Sequence, residues 1–460
     1  MNYSKKFDQY FPYIFLVIVL FIYNSFIAQF LNNAFWQDEL FCLNAVKNTG
    51  INILQFTKES DTNPPLFYLI LYSWYNIMGE KLNALRLLPV LTINLSFCLM
   101  YLTFIKNKLE TVGYALSFYT FISMPFIYHT YNLRPYGLFI LGISSTVFFL
   151  YSPIKNTRLK SIGYLGGLLI SVYSHNFGLF FWFSHFFIYL IHFKFFKTLT
   201  IKNFLICNTL ALILYLPWLP SVLVQINNSN IDWITPMTST SLYELKTRVT
   251  NFSPYILIIG LVYQLYRLYR YKSRVSLMMF FIILLHILSP LIFIYILQIL
   301  GKNIFQIRYL QQSLIAFYIF LAIFSYSKHL KKTIGFIFII LLFLNLKNFN
   351  YTKFENYYEV WNIDWKSLSR NIKSLTQNNT VYFHPNAFAF SLEYYGEIKN
   401  HYPIVDRNLK EISGQFYFYT HTKSIIKNVS NLKSKINPQC RVDLMKIKVK
   451  GISFFKVDCN

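Results

Sequence analysis

The chain has 460 residues, of which 55% are hydrophobic, 20% aromatic and only 13% charged. A soluble domain carries about 25% charged residues, so this composition excludes an ordinary soluble protein and indicates helices that cross a membrane. The net charge of +25 also fits a nucleic-acid partner. The basic residues, however, lie mostly in short loops between apolar segments, as the positive-inside rule describes, and we therefore expect no nucleic-acid partner.

Apolar segments of membrane-crossing length follow one another from residue 11 to residue 346. Met1–Lys6 and the apolar residues behind it predict a first span that is retained rather than a cleaved signal peptide. Residues 64–79 are apolar but short and begin with two prolines, which predicts a segment lying along the membrane surface. The expected fold class is an all-α polytopic membrane protein of about 11 helices. The predicted spans are 11–31, 83–105, 111–129, 135–151, 161–175, 177–193, 203–222, 253–268, 276–300, 308–327 and 333–346.

The distribution of lysine and arginine predicts the orientation of these spans. With the N-terminus inside, about 17 basic residues fall in the inner loops and about 9 in the outer loops up to residue 346, which matches the positive-inside rule. This orientation places loops 32–82 and 223–252 and the C-terminal tail outside. We therefore expect a multi-pass protein of the inner (plasma) membrane, with an extracytoplasmic C-terminal domain.

Two domains are expected, a transmembrane domain over residues 1–349 and a smaller extracytoplasmic domain over 350–460. Beyond about residue 347 charges become frequent, and strand-like alternation appears near 380–384, 415–420 and 441–457, so the second domain is predicted to be α/β. Cys440 and Cys459 both fall in it. An oxidising compartment would allow them to form a disulfide, but the sequence does not determine their geometry.

Acidic residues are concentrated in the first outer loop. The first 346 residues contain nine carboxylates, and five of them lie between Asp38 and Glu80. Asp38 and Glu39 follow Trp36 directly after the first span, where a partly desolvated carboxylate can act as a general base. The alternative for each acid is a solvated loop residue. The grouping with Asp61, about twenty residues on, favours catalysis.

Basic residues at the predicted outer ends of spans are candidates for binding phosphate. Arg134 and Arg308 carry a guanidinium group, which suits bidentate contact with phosphate oxygens. The alternative is an anchor at the membrane interface whose side chain extends toward water. Lys302 and Arg86 have the same two interpretations, and for them the anchor is favoured.

Three further candidates combine polar and aromatic character. His175 lies at the hinge between spans 161–175 and 177–193, and its alternative is a hydrogen-bonded core histidine. Trp233 follows Asp232 in the second outer loop and either stacks on a sugar or anchors the interface. Asn63 precedes Pro64-Pro65 and is a candidate for contact with the substrate. The alternative is that the two prolines only mark the start of a helix.

Taken together, these motifs resemble the GT-C glycosyltransferases, in particular the dolichyl-phosphate-mannose protein mannosyltransferase-like branch that includes the lipid A aminoarabinose transferases. The resemblance covers about residues 11–320. An Asp-Glu pair after the first span is followed by an Asp-x-His-Pro-Pro-Leu-like element in which Asn63 replaces the usual histidine. The other matching motifs are Ala84-Leu85-Arg86-Leu87, His175-Asn176-Phe177-Gly178, Trp233-Ile234-Thr235-Pro236 and Arg308-Tyr309.

The resemblance implies an inverting enzyme that uses a polyprenyl-phosphate sugar and works on the outer face of the membrane. Asp38 matches the catalytic acid position, with Glu39 and Asp61 as neighbouring acids. The lipid phosphate is expected to bind Arg308, Arg134, Lys302 and Arg86. The substrates are expected to contact Trp36, Asn63, His175, Trp233 and Tyr309. The acceptor is a glycan, a lipid or a protein.

No cofactor is required by this reading, although Asp38 and Asp61 together offer carboxylates of the kind that Mg²⁺ or Mn²⁺ binds. Two other functions also fit parts of the sequence. A transporter or flippase of a lipid-linked saccharide would need functional charges near mid-membrane and broken helices in related halves. A non-catalytic assembly or receptor protein gives no reason for grouping Asp38, Glu39 and Asp61 in one loop.

Overall fold

The computed structural model describes most of the N-terminal 349 residues and five short stretches of the C-terminal part. The described residues are 3–59, 61–192, 199–227, 262, 266, 283–304, 306–323, 331–349, 370, 381–384, 401–403, 414–421, 439–445 and 452–459. Trp233 and most of the second outer loop lie outside them.

The chain divides into two compact units. The first joins Met1–Leu31 with Val46–Phe349, and the second joins Asn32–Ala45 with Asn350–Asn460. This division differs from the expected domains in one segment, because residues 32–45, which contain Asp38 and Glu39, group with the C-terminal residues.

The described part of the first unit is helical. Apolar runs with few charges produce long helices, and the breaks fall at Pro, Gly and Asn residues. After α1 (Tyr3–Ile27) the second unit contributes most of α2 (Gln37–Thr49). The remaining helices are α3 (Ile53–Glu59), α4 (Leu66–Met78), α5 (Leu82–Lys106), α6 (Glu110–Phe121), α7 (Met124–Tyr131), α8 (Tyr136–Tyr151), α9 (Thr157–Ser174), α10 (Gly178–His192), α11 (Ile201–Tyr215), α12 (Leu219–Asn227), α13 (Ser289–Ile299), α14 (Gln311–Ile323) and α15 (Lys331–Lys347).

Within the described residues, three helical stretches are long and apolar enough to cross a membrane: Phe7–Phe30, Leu82–Lys106 and Ile201–Gln225. The bent pair α7 and α8 makes a fourth if it counts as one span. The expected number of 11 spans stays a prediction, because residues 253–268 lie mostly outside the described ranges.

The predicted span 111–129 is interrupted in the structure. Helix α6 ends at Phe121, and Ser123 is extended, with φ −72° and ψ 121°. Pro125 explains this break, since proline is accommodated in the first turn of a new helix but not in the interior of a continuing one. The short helix α7 then meets α8 at 111°. Arg134 lies in the connection between these two helices.

Side-chain contacts join helix ends and loops at two places in the first unit. At one end Lys331 pairs with Glu110 (Nζ–Oε2 2.9 Å) and Lys332 pairs with Asp8, and we call this the lysine end. At the other end the Asn176 amide donates to the carbonyl of Thr62 (2.8 Å), and we call this the hinge end. The absolute orientation in the membrane stays a prediction.

Helices α8 and α9 pack closely because glycine lies at their contact. A Cβ on Gly142 would lie 2.4 Å from the backbone nitrogen of Ser171, and one on Gly167 would lie 2.5 Å from that of Thr146. Small residues of this kind let helix backbones approach inside a membrane. The tight contact fixes α9, and therefore the hinge that follows it.

The described residues of the C-terminal part form a five-stranded mixed sheet in the order β2-β1-β3-β5-β4. Strand β1 is parallel to β2 and β3, whereas β5 is antiparallel to β3 and β4. Cys440 and Cys459, at the ends of β4 and β5, form a disulfide. The strands are β1 (Val381–His384), β2 (His401–Pro403), β3 (Gly414–His421), β4 (Arg441–Leu444) and β5 (Ile452–Cys459).

Candidate functional site

The acidic pair of the first loop opens helix α2. Trp36 precedes the helix, and its backbone N–H donates to Glu39 Oε2 (3.1 Å), while its carbonyl accepts from Leu40 N–H (3.0 Å). A glutamate that reaches back from the third helical position in this way caps the helix N-terminus. Glu39 is buried and Asp38 is half-buried. Glu39 therefore has a helix-capping contact, and Asp38 is the more accessible carboxylate of the pair.

Asp61 is a buried carboxylate held by its own loop. Its Oδ1 accepts from the backbone N–H of Thr62 (2.7 Å), and both of its oxygens accept from the amide of Asn63 (3.3 Å each). The hydroxyl of Tyr68, on α4, donates to Oδ2. These donors fix the orientation of the carboxylate. Asn63, which replaces the histidine of the resembled motif, here holds Asp61.

The hinge between α9 and α10 fastens the Asp61 loop to the bundle. Besides its bond to Thr62, the amide of Asn176 donates to Gln225 Oε1 (3.1 Å), and the amide of Gln225, on α12, donates to the carbonyl of Thr57 (2.8 Å). Gly178 is needed at this turn, because a Cβ there would lie 2.4 Å from the carbonyl oxygen of Ser171. The hinge residues thus connect Asp61 with the polar groups around His175.

Four cationic or imidazole side chains gather at the hinge end. His175 interacts electrostatically with Arg134 and Arg308, and His129 interacts with Arg308 and His175. Arg134 is 7% exposed, whereas Arg308 is half-buried in the short helical turn Ile307–Tyr309. This concentration of positive charge inside an apolar bundle suits an anion such as phosphate.

Aromatic rings line the same cluster. The centroid of the Tyr309 ring lies 5.1 Å from that of His175, and that of Tyr136 lies 5.5 Å from His175 and 4.5 Å from His129. The guanidinium of Arg308 lies 5.8 Å from the centroid of the Tyr309 ring. The structure therefore brings together His175, Arg134, Arg308 and Tyr309, four of the residues singled out from the sequence.

Arg86 and Lys302 are placed differently. Arg86 is 1% exposed, and its Nη1 donates to the carbonyls of Phe30 (3.1 Å) and Leu31 (3.3 Å) at the end of the first span, while its guanidinium lies 5.6 Å from the Tyr131 ring centroid. Arg86 thereby ties α5 to the end of that span. Lys302 is half-buried in the turn after α13. Phosphate binding by either residue stays a prediction.

Sequence analysis did not single out His129, Gln311 or Gln312. The amide nitrogen of Gln311 lies 2.8 Å from His129 Nε2 and donates to the carbonyl of Arg308 (2.8 Å). All three side chains are at most 2% exposed. The signal was present in the sequence, because two consecutive glutamines open an otherwise apolar helix and a histidine lies inside an apolar run.

The donors around Asp61 do not fit a resident Mg²⁺ or Mn²⁺. Both of its oxygens already accept hydrogen bonds from protein groups, and such a cation needs several oxygen ligands. Across the described residues, no group of three or more His, Cys, Asp or Glu side chains is arranged to hold a metal ion.

Comparison with known proteins identifies the fold. No protein-family model matches the chain, and no curated protein matches its sequence. The chain is similar in structure to ArnT from Cupriavidus metallidurans in the apo state (TM-score 0.59, 9% identity, 98% of each chain covered). It is also similar to ArnT bound to undecaprenyl phosphate (TM-score 0.55, 8% identity, 96% of this chain and 97% of that chain).

A third similar structure is the oligosaccharyltransferase from Archaeoglobus fulgidus in its apo form, with a TM-score of 0.54 and 11% identity, covering 94% of this chain and 72% of that one. These are GT-C glycosyltransferases. At such low identities the likeness establishes the fold alone. The chain has the GT-C fold, as the sequence motifs predict.

Proposed function

We propose that the protein is an integral-membrane inverting glycosyltransferase, which transfers a sugar from a polyprenyl-phosphate donor to an acceptor on the outer face of the membrane. The observation that carries the proposal is the cluster of Arg134, His175 and Arg308, connected through Asn176 to the Asp61 loop in a chain with the GT-C fold. Undecaprenyl phosphate bound to the similar ArnT supports a polyprenyl-phosphate donor.

The reaction is a displacement at the anomeric carbon. A hydroxyl or amine of the acceptor attacks that carbon, a new bond forms there, and the bond to the phosphate oxygen breaks with inversion. The electron pair leaves with the polyprenyl phosphate. Asp38 is the proposed general base that takes the acceptor proton, a role worth about 10²–10⁴-fold in rate.

The leaving phosphate gains negative charge as its bond to the sugar breaks. Arg308 and Arg134 would stabilise that charge, and the cluster is preorganised because the hinge and the α8–α9 contact hold it in place. Asp61 would orient the acceptor, since its carboxylate is fixed by Asn63 and Tyr68. No step in this mechanism depends on a metal ion or another cofactor.

The disulfide supports an extracytoplasmic C-terminal part. Disulfides persist in oxidising compartments and are rare in the cytoplasm, and Cys440 and Cys459 are bonded here. Together with the lysine and arginine distribution, this favours an active site on the outer face of the inner (plasma) membrane. A reporter that is active only in the cytoplasm, fused after Asn460, should stay silent, and a strong signal would overturn this orientation.

A transporter of a lipid-linked saccharide is the second candidate, and the broken pair α7 and α8 is the observation that favours it. Transporters build binding sites from such interrupted helices. Reconstitution into vesicles separates the two functions. An enzyme releases polyprenyl phosphate and produces a covalently modified acceptor, whereas a transporter moves the intact lipid-linked saccharide across the bilayer.

Replacing the proposed base tests the enzymatic function. Asp38→Asn keeps the shape of the side chain but cannot accept the proton, so turnover of a polyprenyl-phosphate sugar should fall by about 10²–10⁴-fold. Glu59→Gln is the control, because Glu59 lies in the same loop, is exposed and contacts Gln55. Near-wild-type turnover of Asp38→Asn, with folded protein quantified for both variants, would refute the assignment of Asp38.

A further inference from the structure

Polar atoms without a hydrogen-bond partner in the described part of the chain occur on four buried side chains: His129 and His175 of the cationic cluster, Gln311, which contacts His129, and Gln312, which follows Gln311 at the start of α14. Each of these side chains is at most 3% exposed. The atoms are His129 Nδ1, His175 Nε2, Gln311 Oε1 and both amide atoms of Gln312. Burying a polar atom without a partner is costly, so several in one region indicate a ligand that completes their hydrogen bonds.

The hydrogen bonds that do form assign donors and acceptors to these atoms. The backbone N–H of Phe177 donates to His175 Nδ1 (3.1 Å), so in the neutral ring Nε2 carries the hydrogen. When the amide of Gln311 donates to His129 Nε2 (2.8 Å), Nδ1 of that ring carries the hydrogen. Both rings then offer an N–H donor, while Gln311 Oε1 remains an acceptor.

The acceptors are informative about the ligand. An ionised phosphate accepts hydrogen bonds and is served by the arginines and the imidazole N–H groups. It has no hydrogen to donate to Gln311 Oε1 or Gln312 Oε1. Those oxygens need a hydrogen-bond donor, which the O–H groups of a ligand can supply, and the amide nitrogen of Gln312 in turn suits a hydroxyl oxygen. The site therefore fits a polyhydroxylated group joined to an anion.

We propose that Gln311 and Gln312, together with His129, recognise hydroxyl groups of the sugar carried by the lipid donor, and that the arginines bind its phosphate. This inference rests on the proposed function and assigns the sugar to a specific part of the site. A site that pairs buried polar groups with substrate hydroxyls discriminates strongly against analogues that lack them. Gln311 and Gln312 would then be specificity-determining residues.

Binding to two kinds of lipid tests the inference on the full chain in lipid nanodiscs. The probes are undecaprenyl phosphate alone and undecaprenyl phosphate carrying glucose, mannose or aminoarabinose. Gln312→Met keeps the length of the side chain but loses its hydrogen bonds. We expect its affinity for the best-bound sugar-carrying lipid to fall about tenfold. Affinity for the bare lipid should stay within about twofold, since no phosphate contact is removed.

A control and a stability measurement accompany this variant. Gln29→Met changes an exposed glutamine whose amide donates to the carbonyl of Phe26, and it should leave both affinities unchanged. Gln312→Met removes an unpaired buried amide, so the ligand-free protein should melt at the same temperature or higher. Deoxy-sugar versions of the best-bound lipid, tested on the wild-type chain, give a measurement that depends on no variant, and at least one should bind more weakly.

The outcomes separate this inference from the function on which it rests. Equal loss of both lipids in Gln312→Met, loss of neither, or indifference of the wild type to every deoxy sugar would overturn the sugar assignment. Equal affinity of the wild type for bare and sugar-carrying lipids would overturn it as well and leave a lipid-phosphate site. If the wild type binds neither lipid, the proposed function itself fails.

Discussion

The middle of helix α9 and the hinge that follows this helix differ in how their side chains are packed and hydrogen-bonded. Along its middle it packs against α8 through glycines, with contacts so close that a single Cβ would meet backbone atoms. At its C-terminal end it leads into His175 and Asn176, where His175 Nε2 and Asn176 Oδ1 lack a partner within the described residues. The first region has no space for an added atom, whereas the second retains polar atoms that the protein does not pair.

The difference indicates that one region of this bundle contributes stability and another forms the candidate site. Inside a membrane, close packing of small residues holds helices together, because burying apolar surface gives little gain when lipid is equally apolar. Unpaired buried polar atoms have the opposite effect, because each costs stability unless another group completes its hydrogen bonds. The rigid α8–α9 contact fixes the position of α9. The polar groups at the C-terminal end of α9 are therefore held in place although their own hydrogen bonds are incomplete.

Filling the α8–α9 contact should produce the largest effect. At Gly167 a Cβ would lie 2.5 Å from the backbone nitrogen of Thr146, whereas at Gly166 it would meet nothing within 4 Å. Gly167→Ala should destabilise the protein by about 3 kcal/mol, the upper end of the usual overpacking cost. Gly166→Ala should stabilise it by about 0.5–1 kcal/mol through helix propensity. Thermal unfolding in detergent measures both, and equal melting temperatures would contradict the packing argument.

Removing a charge from the polar region should affect activity instead. Arg308→Ala removes the guanidinium that is proposed to bind the donor phosphate, and a charged contact of that kind is worth about 1.5–3 kcal/mol. Turnover of the lipid-linked sugar per folded molecule should thus fall about 10- to 100-fold, with little change in melting temperature.

Arg158→Ala is the matched control for Arg308→Ala. Arg158 is exposed at the start of α9, at the end of that helix opposite the hinge. Its replacement should leave turnover unchanged. If the two arginine variants have the same turnover, Arg308 does not belong to the site.

Much of the fold follows from the sequence because it depends on local patterns. Apolar runs predicted the helices, and strand-like alternation predicted β1, β3, β4 and most of β5. The motifs around Asp61 and His175 predicted the fold that the similar structures share. The break between α6 and α7 was missed, although Pro125 marks it, because the surrounding residues are uniformly apolar.

The polar cluster was only half predictable. Arg134, His175 and Arg308 stood out as charges or motifs, whereas His129 and Gln311 acquire meaning only when α7 and α14 lie side by side and their side chains come within 2.8 Å. The capping contact of Glu39 was likewise not predicted, since the pair with Asp38 drew attention to catalysis. Contacts between residues far apart in sequence have no local signature, and a structure is needed to find them.

Breaking the hydrogen bonds between the hinge and the Asp61 loop should have a smaller effect than the two changes above. Asn176→Leu removes the hydrogen bonds to Thr62 and Gln225, each worth about 0.5–1.5 kcal/mol, and loosens the loop that orients Asp61. We expect turnover to fall about tenfold. Asn24→Leu is the control, because Asn24 pairs with Asn94 between α1 and α5, and this hydrogen bond involves none of Thr62, Asn176 and Gln225. It should lower stability without changing turnover per folded molecule, and equal turnover in both variants would refute the link.

The smallest effect is expected where polar groups are already paired at the surface. Lys47 Nζ lies 2.7 Å from Glu80 Oε1, and the Tyr75 hydroxyl donates to the same oxygen (2.5 Å). The hydrogen bond from Lys47, and then that from Tyr75, lowers the pKa of Glu80 below its ordinary value.

A lowered folded-state pKa contributes stability above the unfolded pKa, and this contribution is lost as the pH falls through the folded pKa. Because Glu80 is exposed and Lys47 is only half-buried, Glu80→Gln should lower the melting temperature only slightly at pH 7. The difference from wild type should shrink as the pH falls through the lowered pKa of Glu80. A difference that grows as the pH falls would show that the carboxylate is not stabilised in its charged form.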